Sequence, residues 1–458
     1  MNEIHKKKPV KSRELDMLHG SLLDKILWFA LPLAASSILQ QLFNSADVAV
    51  VGRFAGSQAL AAVGSNQSAI GLFINLFVGL SIGANVLVAR YIGQGEKENI
   101  SDAVHTTMTL AGIGGIFLLF LGMMIARPML RLMATPEDVI DLAVLYLRIY
   151  FLGMPFFMLY NFGAAILRSK GDTKRPLYCL FLSGCINVVL NLILVIVFHL
   201  GVAGVGIATV VSNIISACMV VSFLMKEEDA GQLSFHKLCL KRKDVLEIGK
   251  IGVPAGVQGM VFSLSNVMIQ TAINGFGSDA VAGSAAAVNF EFFTYFLLSA
   301  FSQAAVTFVS QNYGAGQYER CKKIVRLCAI AGILSSTALA ESFVLGGKFF
   351  IRFYSTDPVV TRYAMIRMTH ILALQFLNGL QEVLAGAMRG MGYSFVPAAI
   401  TVAGVCGIRF VWIYTVFEKY HSFEMLMNVY PVSWIVTSAV ILLAYRILKR
   451  KVFTEEIV

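Results

Sequence analysis

The sequence predicts an all-α membrane protein, with twelve transmembrane helices forming two pseudo-symmetric six-helix bundles around a central cleft. Three observations carry that expectation. The 458 residues are 57% hydrophobic and only 14% charged, with a mean hydropathy of +0.72, whereas soluble domains average about 25% charged. Apolar runs of about 20 residues, the length that crosses a bilayer, occur twelve times. One register also repeats at an offset of 221, through Gly56/Gly277, Ser81/Ser302, Val88/Val309, Gly93/Gly314, Gly95/Gly316, Thr135/Thr356, Arg168/Arg389, Gly171/Gly392 and Pro176/Pro397. With one more residue of spacing, Pro32 aligns with Pro254.

In chain order, residues 1–25 read as a charged cytoplasmic tail, and the first half, 26–225, holds spans over 26–51, 59–88, 102–125, 138–160, 177–198 and 203–225. Residues 226–249 mix the acids Glu227, Glu228 and Asp229 with bases around Gly231, which suits a cytoplasmic linker with a short amphipathic helix. The second half, 250–445, carries spans over 250–275, 281–310, 324–346, 359–387, 396–417 and 427–445, before a cytoplasmic tail at 446–458. Thr135-Pro136-Glu137-Asp138 and Ser355-Thr356-Asp357-Pro358 combine capping residues, acids and a proline ahead of apolar runs, which marks helix starts. With the N-terminus inside, 27 of the 37 Lys and Arg fall in inner segments and 7 in outer ones. That bias puts both ends in the cytoplasm, as expected of a multi-pass protein of the plasma (inner) membrane. Six spans per half then give both copies the same topology, related by an axis along the membrane normal.

Composition also excludes function classes. The net charge of +10 sits in short loops, where membrane orientation accounts for it, so no nucleic-acid partner is expected. The seven cysteines are odd in number, lack a CxxC pair and fall mostly in apolar runs, so neither a disulfide framework nor a metal cluster is indicated. Gly93/Gly95 and Gly314/Gly316 lack the strand and helix context of a nucleotide fingerprint and read as cytoplasmic turns. No organic cofactor is implied. The apolar run after Lys25 lacks a cleavage pattern and reads as a retained span rather than a signal peptide.

One residue stands out. Asp47 lies in the first span, within the stretch LPLAASSILQQLFNSADVAVVGRFAGSQALAAVG (31–64), and a charge inside a span costs about 2.5–3.5 kcal/mol on insertion scales. Its counterpart in the second half is Ile269, so the scaffold is symmetric and the charge is not. A carboxyl in low dielectric takes up a proton more readily than one in water, and an intramembrane acid by default marks a functional site. Asn187 and Asn191 share a helix face in span five, and Thr209 lies in span six. Their oxygens can join Asp47 in holding a proton or Na⁺, or can serve as interhelical hydrogen bonds.

Glu291, with Asn289 beside it, either lines the cleft or pairs with an arginine. Arg148, Arg367 and Arg409 lie deep in spans, with Arg409 nearest a cavity, whereas Glu341, Glu382 and Arg362 fall near helix ends within reach of water. Among the apolar residues, Phe43, Phe151, Met260 and Phe292 are the candidates for a cleft wall, because Met surfaces repack around varied shapes and aromatic faces attract organic cations.

Taken together, LFNSADVAVVGRFAGSQALAAVG in the first helix, VSQNYGAGQ after the eighth, and the half-ends LRSKGDTKRP and MRGMGYSFVP resemble the multidrug and toxic compound extrusion (MATE) family across nearly the whole chain. The resemblance implies a cation-coupled exporter of amphipathic, often cationic, organic molecules, with a V-shaped pair of bundles opening alternately; a monomer is expected. It also implies a prokaryotic coupling site in the first bundle, whose positions here are Asp47, Asn187, Asn191 and Thr209. Asn191 departs from the pattern, which has a carboxylate there, so the coupling ion is left as H⁺ or Na⁺. The acids that another branch places in helices seven and ten are absent, since those regions read Phe262 to Ser265 and Asn378. The alternatives are a flippase for lipid-linked saccharides, which needs a more cationic cleft, and a membrane-embedded enzyme or scaffold.

Overall fold

The computed structural model describes residues 15–133 and 135–454. The rest of the two expected tails, 1–14 and 455–458, lies outside the described residues. The described residues contain helices and no strand. Eleven helices are long and apolar enough to cross a membrane, and a bent pair supplies the twelfth span.

The first half comprises α1 (Leu23–Phe54), α2 (Ser57–Gln94), α3 (Lys97–Leu132), the bent pair α4 (Ile140–Leu152) and α5 (Met154–Ser169), α6 (Lys174–Leu192) and α7 (Gly201–Met225). The second begins with α8 (Arg242–Asn274), α9 (Ser278–Gly314), α10 (Tyr318–Leu345) and the short α11 (Gly347–Ile351). Next, α12 (Pro358–Ile371) and α13 (Gln375–Gly390) make one span through a single 3₁₀ turn, Leu372–Leu374. The following span runs α14 (Phe395–Thr401), a π-helical stretch Val402–Gly407, α15 (Ile408–Trp412) and a second π stretch Ile413–Phe417. Last come α16 (Phe423–Met427) and α17 (Val429–Thr454).

Most helices overrun the apolar runs that announce them, because helix continues through the polar turns at the membrane edge. Thus α8 starts at Arg242, inside the segment 226–249 read as linker, and the amphipathic helix expected there is one 3₁₀ turn, Phe235–Lys237. The span expected over 138–160 breaks by 46° at Gly153, with Pro155 in the first turn of α5. Asp357 caps α12 by accepting from the Val359 amide at 2.7 Å, with Pro358 at the first helical position. Outward on α3, Ile113, Phe117, Phe120 and Met124 present an exposed apolar stripe, as a lipid-facing helix must.

The repeat is visible in the backbone. Gly56, Gly95 and Gly171 have φ of 89°, 73° and 91°, and their counterparts Gly277, Gly316 and Gly392 have 91°, 70° and 93°. Only glycine takes that region without strain.

The halves interlock through the first helix of each. The start of α1 packs on α9 of the other half, with Phe29 edge-on to Phe308 at 5.5 Å, and the start of α8 packs on α2. At the α2–α8 crossing, a Cβ on Gly79 would sit 2.2 Å from the Gly256 nitrogen, and one on Gly83 2.3 Å from the Ile248 carbonyl oxygen. The residues related to Gly79, Gly83, Gly252 and Gly256 by the repeat are Ala300, Ala304, Ala30 and Ala34, all buried at the α1–α9 seam. One seam is therefore lined by glycine and its mate by alanine.

Further contacts tie the halves together near the side where the described residues begin and end. The Thr307 hydroxyl donates to Asn85 at 3.0 Å, and Gln311 donates to the Ser169 carbonyl at 2.6 Å. Gly93 and Gly314 approach each other's helices closely enough that a Cβ would strike the Gln311 and Arg90 carbonyl oxygens. These two are contact glycines rather than turn residues, and the turns fall to Gly95 and Gly316. The segment before α1 crosses both halves. Leu15 lies against Gly171, while the Met17 carbonyl accepts from Asn312 and Arg320 of the second half.

The linker is held at one end by charge. Glu227 bonds both Lys170 and Arg175, and Lys170 also reaches Asp229. Partial burial alone would raise the Glu227 carboxyl, but the hydrogen bonds from Lys170 and Arg175 outweigh it and hold the carboxyl below its usual range.

Candidate functional site

Two polar regions lie inside the spans, one in each half. In the first, Asn187 and Asn191 stand one turn apart near the end of α6, just before the helix loosens into the π stretch Ile193–Val197. Asn191 donates its amide to a carboxylate oxygen of Asp47 and, at 3.2 Å, to the Asn187 oxygen. Its own amide oxygen is buried without a partner among the described residues. Tyr146 and Tyr150 of α4, with rings 6.3 Å apart, stand within electrostatic reach of Asp47. Among the described residues no arginine or lysine forms an ion pair with Asp47. An acid with one amide donor, a neighbouring amide oxygen and an unpaired carbonyl is a set of oxygen ligands able to take a proton or a small hard cation.

Thr209 does not bond to this group. Its hydroxyl donates to the Val205 carbonyl one turn back at 3.0 Å, a common use of Thr in apolar helices. Phe43, one turn before Asp47, is a packing residue. Its ring fills the notch at Gly184, where a Cβ would lie 1.9 Å from a ring carbon, and so fixes α1 against α6.

The second region is a cavity of about 490 Å³ in the second half, reached from the first half only by Asn75 of α2 among its lining residues. Glu291 and Arg367 meet in its wall through two hydrogen bonds of 2.6 and 3.0 Å, so Glu291 both lines the cavity and pairs with an arginine. Arg409 lines it too, 1% exposed, donating to Asn266 at 3.0 Å and stacked over Tyr430 at 4.5 Å and Phe262 at 5.2 Å. Phe292 contributes a ring stacked on Phe296 at 5.8 Å.

Other expected wall residues are elsewhere. Phe151 is fully buried in the first-half core, edge-on to Phe73 at 5.4 Å and seated over Gly122. Met260 and Asn289 are half-buried but outside the cavity lining. The α8 residues that face the cavity, Gly259, Phe262, Ser263 and Asn266, follow helical spacing, and Met260 falls one position off that stripe. Asn289 bonds back to the Ala285 carbonyl at 2.9 Å. Arg148 lies on the outer surface of α4, away from both polar regions. Glu382, expected at a wet helix end, faces the cavity because α13 continues to Gly390. It lies within electrostatic reach of Arg389 and Tyr295. The missed signal was the recurrence of Gln375, Asn378, Gln381 and Glu382 on one face of an apolar helix.

Two homologous halves of six spans, joined at close-packed seams and each holding polar groups inside the spans, are an arrangement suited to a membrane transporter. The comparisons agree. A family model described as MatE matches residues 32–193 and 254–415, one match in each half, so the chain belongs to the MATE family of multidrug efflux transporters. It is 28% identical over 417 residues to the probable multidrug resistance protein YoeA of Bacillus subtilis (strain 168), covering 87% of each chain. It is 25% identical to the probable multidrug resistance protein YpnP of the same organism, over 82% of this chain and 84% of that one. In fold it is similar to the outward-facing structure of a multidrug resistance MATE family transporter of the MOP superfamily. That match has a TM-score of 0.89 and 19% identity, over 97% of this chain and 99% of the other.

Proposed function

We propose that this protein is a secondary active exporter that exchanges H⁺ or Na⁺ for amphipathic organic compounds by alternating access. It works as a monomer, in the plasma membrane, with both ends in the cytoplasm and no organic cofactor. The observation that carries the reading is Asp47. It is an acid inside a span, held by an asparagine, with the unpaired Asn191 oxygen beside it and no basic partner among the described residues. In this scheme Asp47 takes the cation from outside, with Asn187 and Asn191 as further oxygen ligands. Thr209 joins them once the ion draws its hydroxyl from Val205. Occupancy then weakens the hold on substrate.

The lobes supply the motion, since two similar bundles joined at a seam can rock about it. Asp47→Asn reconstituted in proteoliposomes is expected to fold normally and to lose gradient-driven export. Full export by that variant would end the proposal. On the unmodified protein, a pH jump and a Na⁺ jump applied separately identify the coupling ion.

A further inference from the structure

The second-half cavity is lined by two carboxylates, Glu291 and Glu382, and two arginines, Arg367 and Arg409, but these charges are not all paired with one another. Glu291 is committed to Arg367 by two hydrogen bonds, and Glu382 lies within electrostatic reach of Arg389, which donates to Gln258 at 2.6 Å. Arg409 forms no ion pair among the described residues, and the one carboxylate within its electrostatic reach, Glu291, is held by Arg367. Arg409 is the largest fully buried side chain among the described residues, and its Nε and Nη2 have no hydrogen-bond partner. Asn266 satisfies one donor, and the faces of Tyr430 and Phe262 give partial compensation. A guanidinium presents five donors in a planar fork, however, and leaving a buried charge incompletely paired is expensive.

The local backbone is unusual as well. Arg409 sits on five residues of α-helix between two π-helical stretches, Val402–Gly407 and Ile413–Phe417, and π turns within helices recur at functional sites. Around it the cavity offers Phe292, Tyr295, Tyr430 and Trp434, and its volume suits a drug-sized molecule.

We infer that this cavity selects amphiphilic organic anions, with a carboxylate or phosphate head at the Arg409 guanidinium and an aromatic body among Phe292, Tyr295, Tyr430 and Trp434. A planar oxyanion is what that fork matches in two parallel bonds. The inference rests on the exporter reading for its purpose and names the substrate class. It departs from the organic cation that the family resemblance implies.

The test uses the full-length protein in nanodiscs and one ring system with different heads. The probes are 7-diethylaminocoumarin-3-carboxylate, 4-methylumbelliferyl phosphate, and the first ring with a trimethylammonium group in place of the carboxylate, followed by fluorescence anisotropy. At least one anion should bind and the cationic ring should not displace it. Arg409→Met should weaken that anion at least about tenfold, as loss of charge-assisted hydrogen bonds requires, and Arg409→Lys should recover part of it. As an independent variant, Asn266→Asp supplies Arg409 with an internal carboxylate and should weaken the anion by a similar factor while raising the Tm of the empty protein. Failure of both anions to bind, preference for the cationic ring, or unchanged anion binding in Arg409→Met or Asn266→Asp overturns the inference. The measurement needs no ion gradient, so its outcome is separate from whether Asp47→Asn abolishes export.

Discussion

Glu291 and Arg367 illustrate how a single pair can carry both structure and site. The Arg367 side chain is 6% exposed and that of Glu291 17%, so each desolvated charge depends on the other. Arg367→Met strands the carboxylate and is expected to cost about 3–5 kcal/mol, seen as a large fall in Tm, while adding Glu291→Leu should restore most of it. A double variant as unstable as the single one would show that Arg367 acts through something other than this pair. At this scale the sequence was legible where chemistry is rare. One acid in an apolar run and two asparagines a turn apart led to the Asp47, Asn187 and Asn191 cluster. It was not legible where direction matters, because no local pattern says whether Phe151 points to a core or a cleft. Thr209 escapes for the same reason, its hydroxyl having a carbonyl of its own helix to bond.

Among the helices, the seam between α2 and α8 is the most demanding element. Its glycines allow backbone contact, and Gly79 meets backbone atoms that cannot give way. Gly79→Ala should therefore force the helices apart despite alanine's better helix propensity. The expected result is a lower Tm and reduced export, whereas Gly249→Ala, at a position on α8 with open space, should be neutral or slightly stabilising. Equal stability of the two variants would mean the seam tolerates separation. The duplication that relates the seams was readable from one register of small residues and turns. Helix ends were read short, because polar turns at the membrane edge end an apolar run before they end a helix. The π stretches around Arg409 were invisible, since Val402–Gly407 and Ile413–Phe417 contain nothing that ordinary helix would refuse.

Across the whole molecule, the halves close against each other on the side where the described residues begin and end, through Asn85–Thr307, Gln311–Ser169 and the reciprocal Gly93 and Gly314 approaches. The arrangement is shut on that side. Replacing Asn85 and Thr307 by cysteine in a background lacking the seven native thiols should give a cross-link that arrests export, with recovery on reduction. Continued export by the cross-linked protein would rule out opening there. The stretch around Met17 spans that closure, with its carbonyl gripped by Asn312 and Arg320 and Leu15 resting on the opposite half. In the proposed exporter, parting the halves would peel this stretch from one of them, so the residues around Leu15 and Met17 would act as a latch whose grip adds to the work of each stroke.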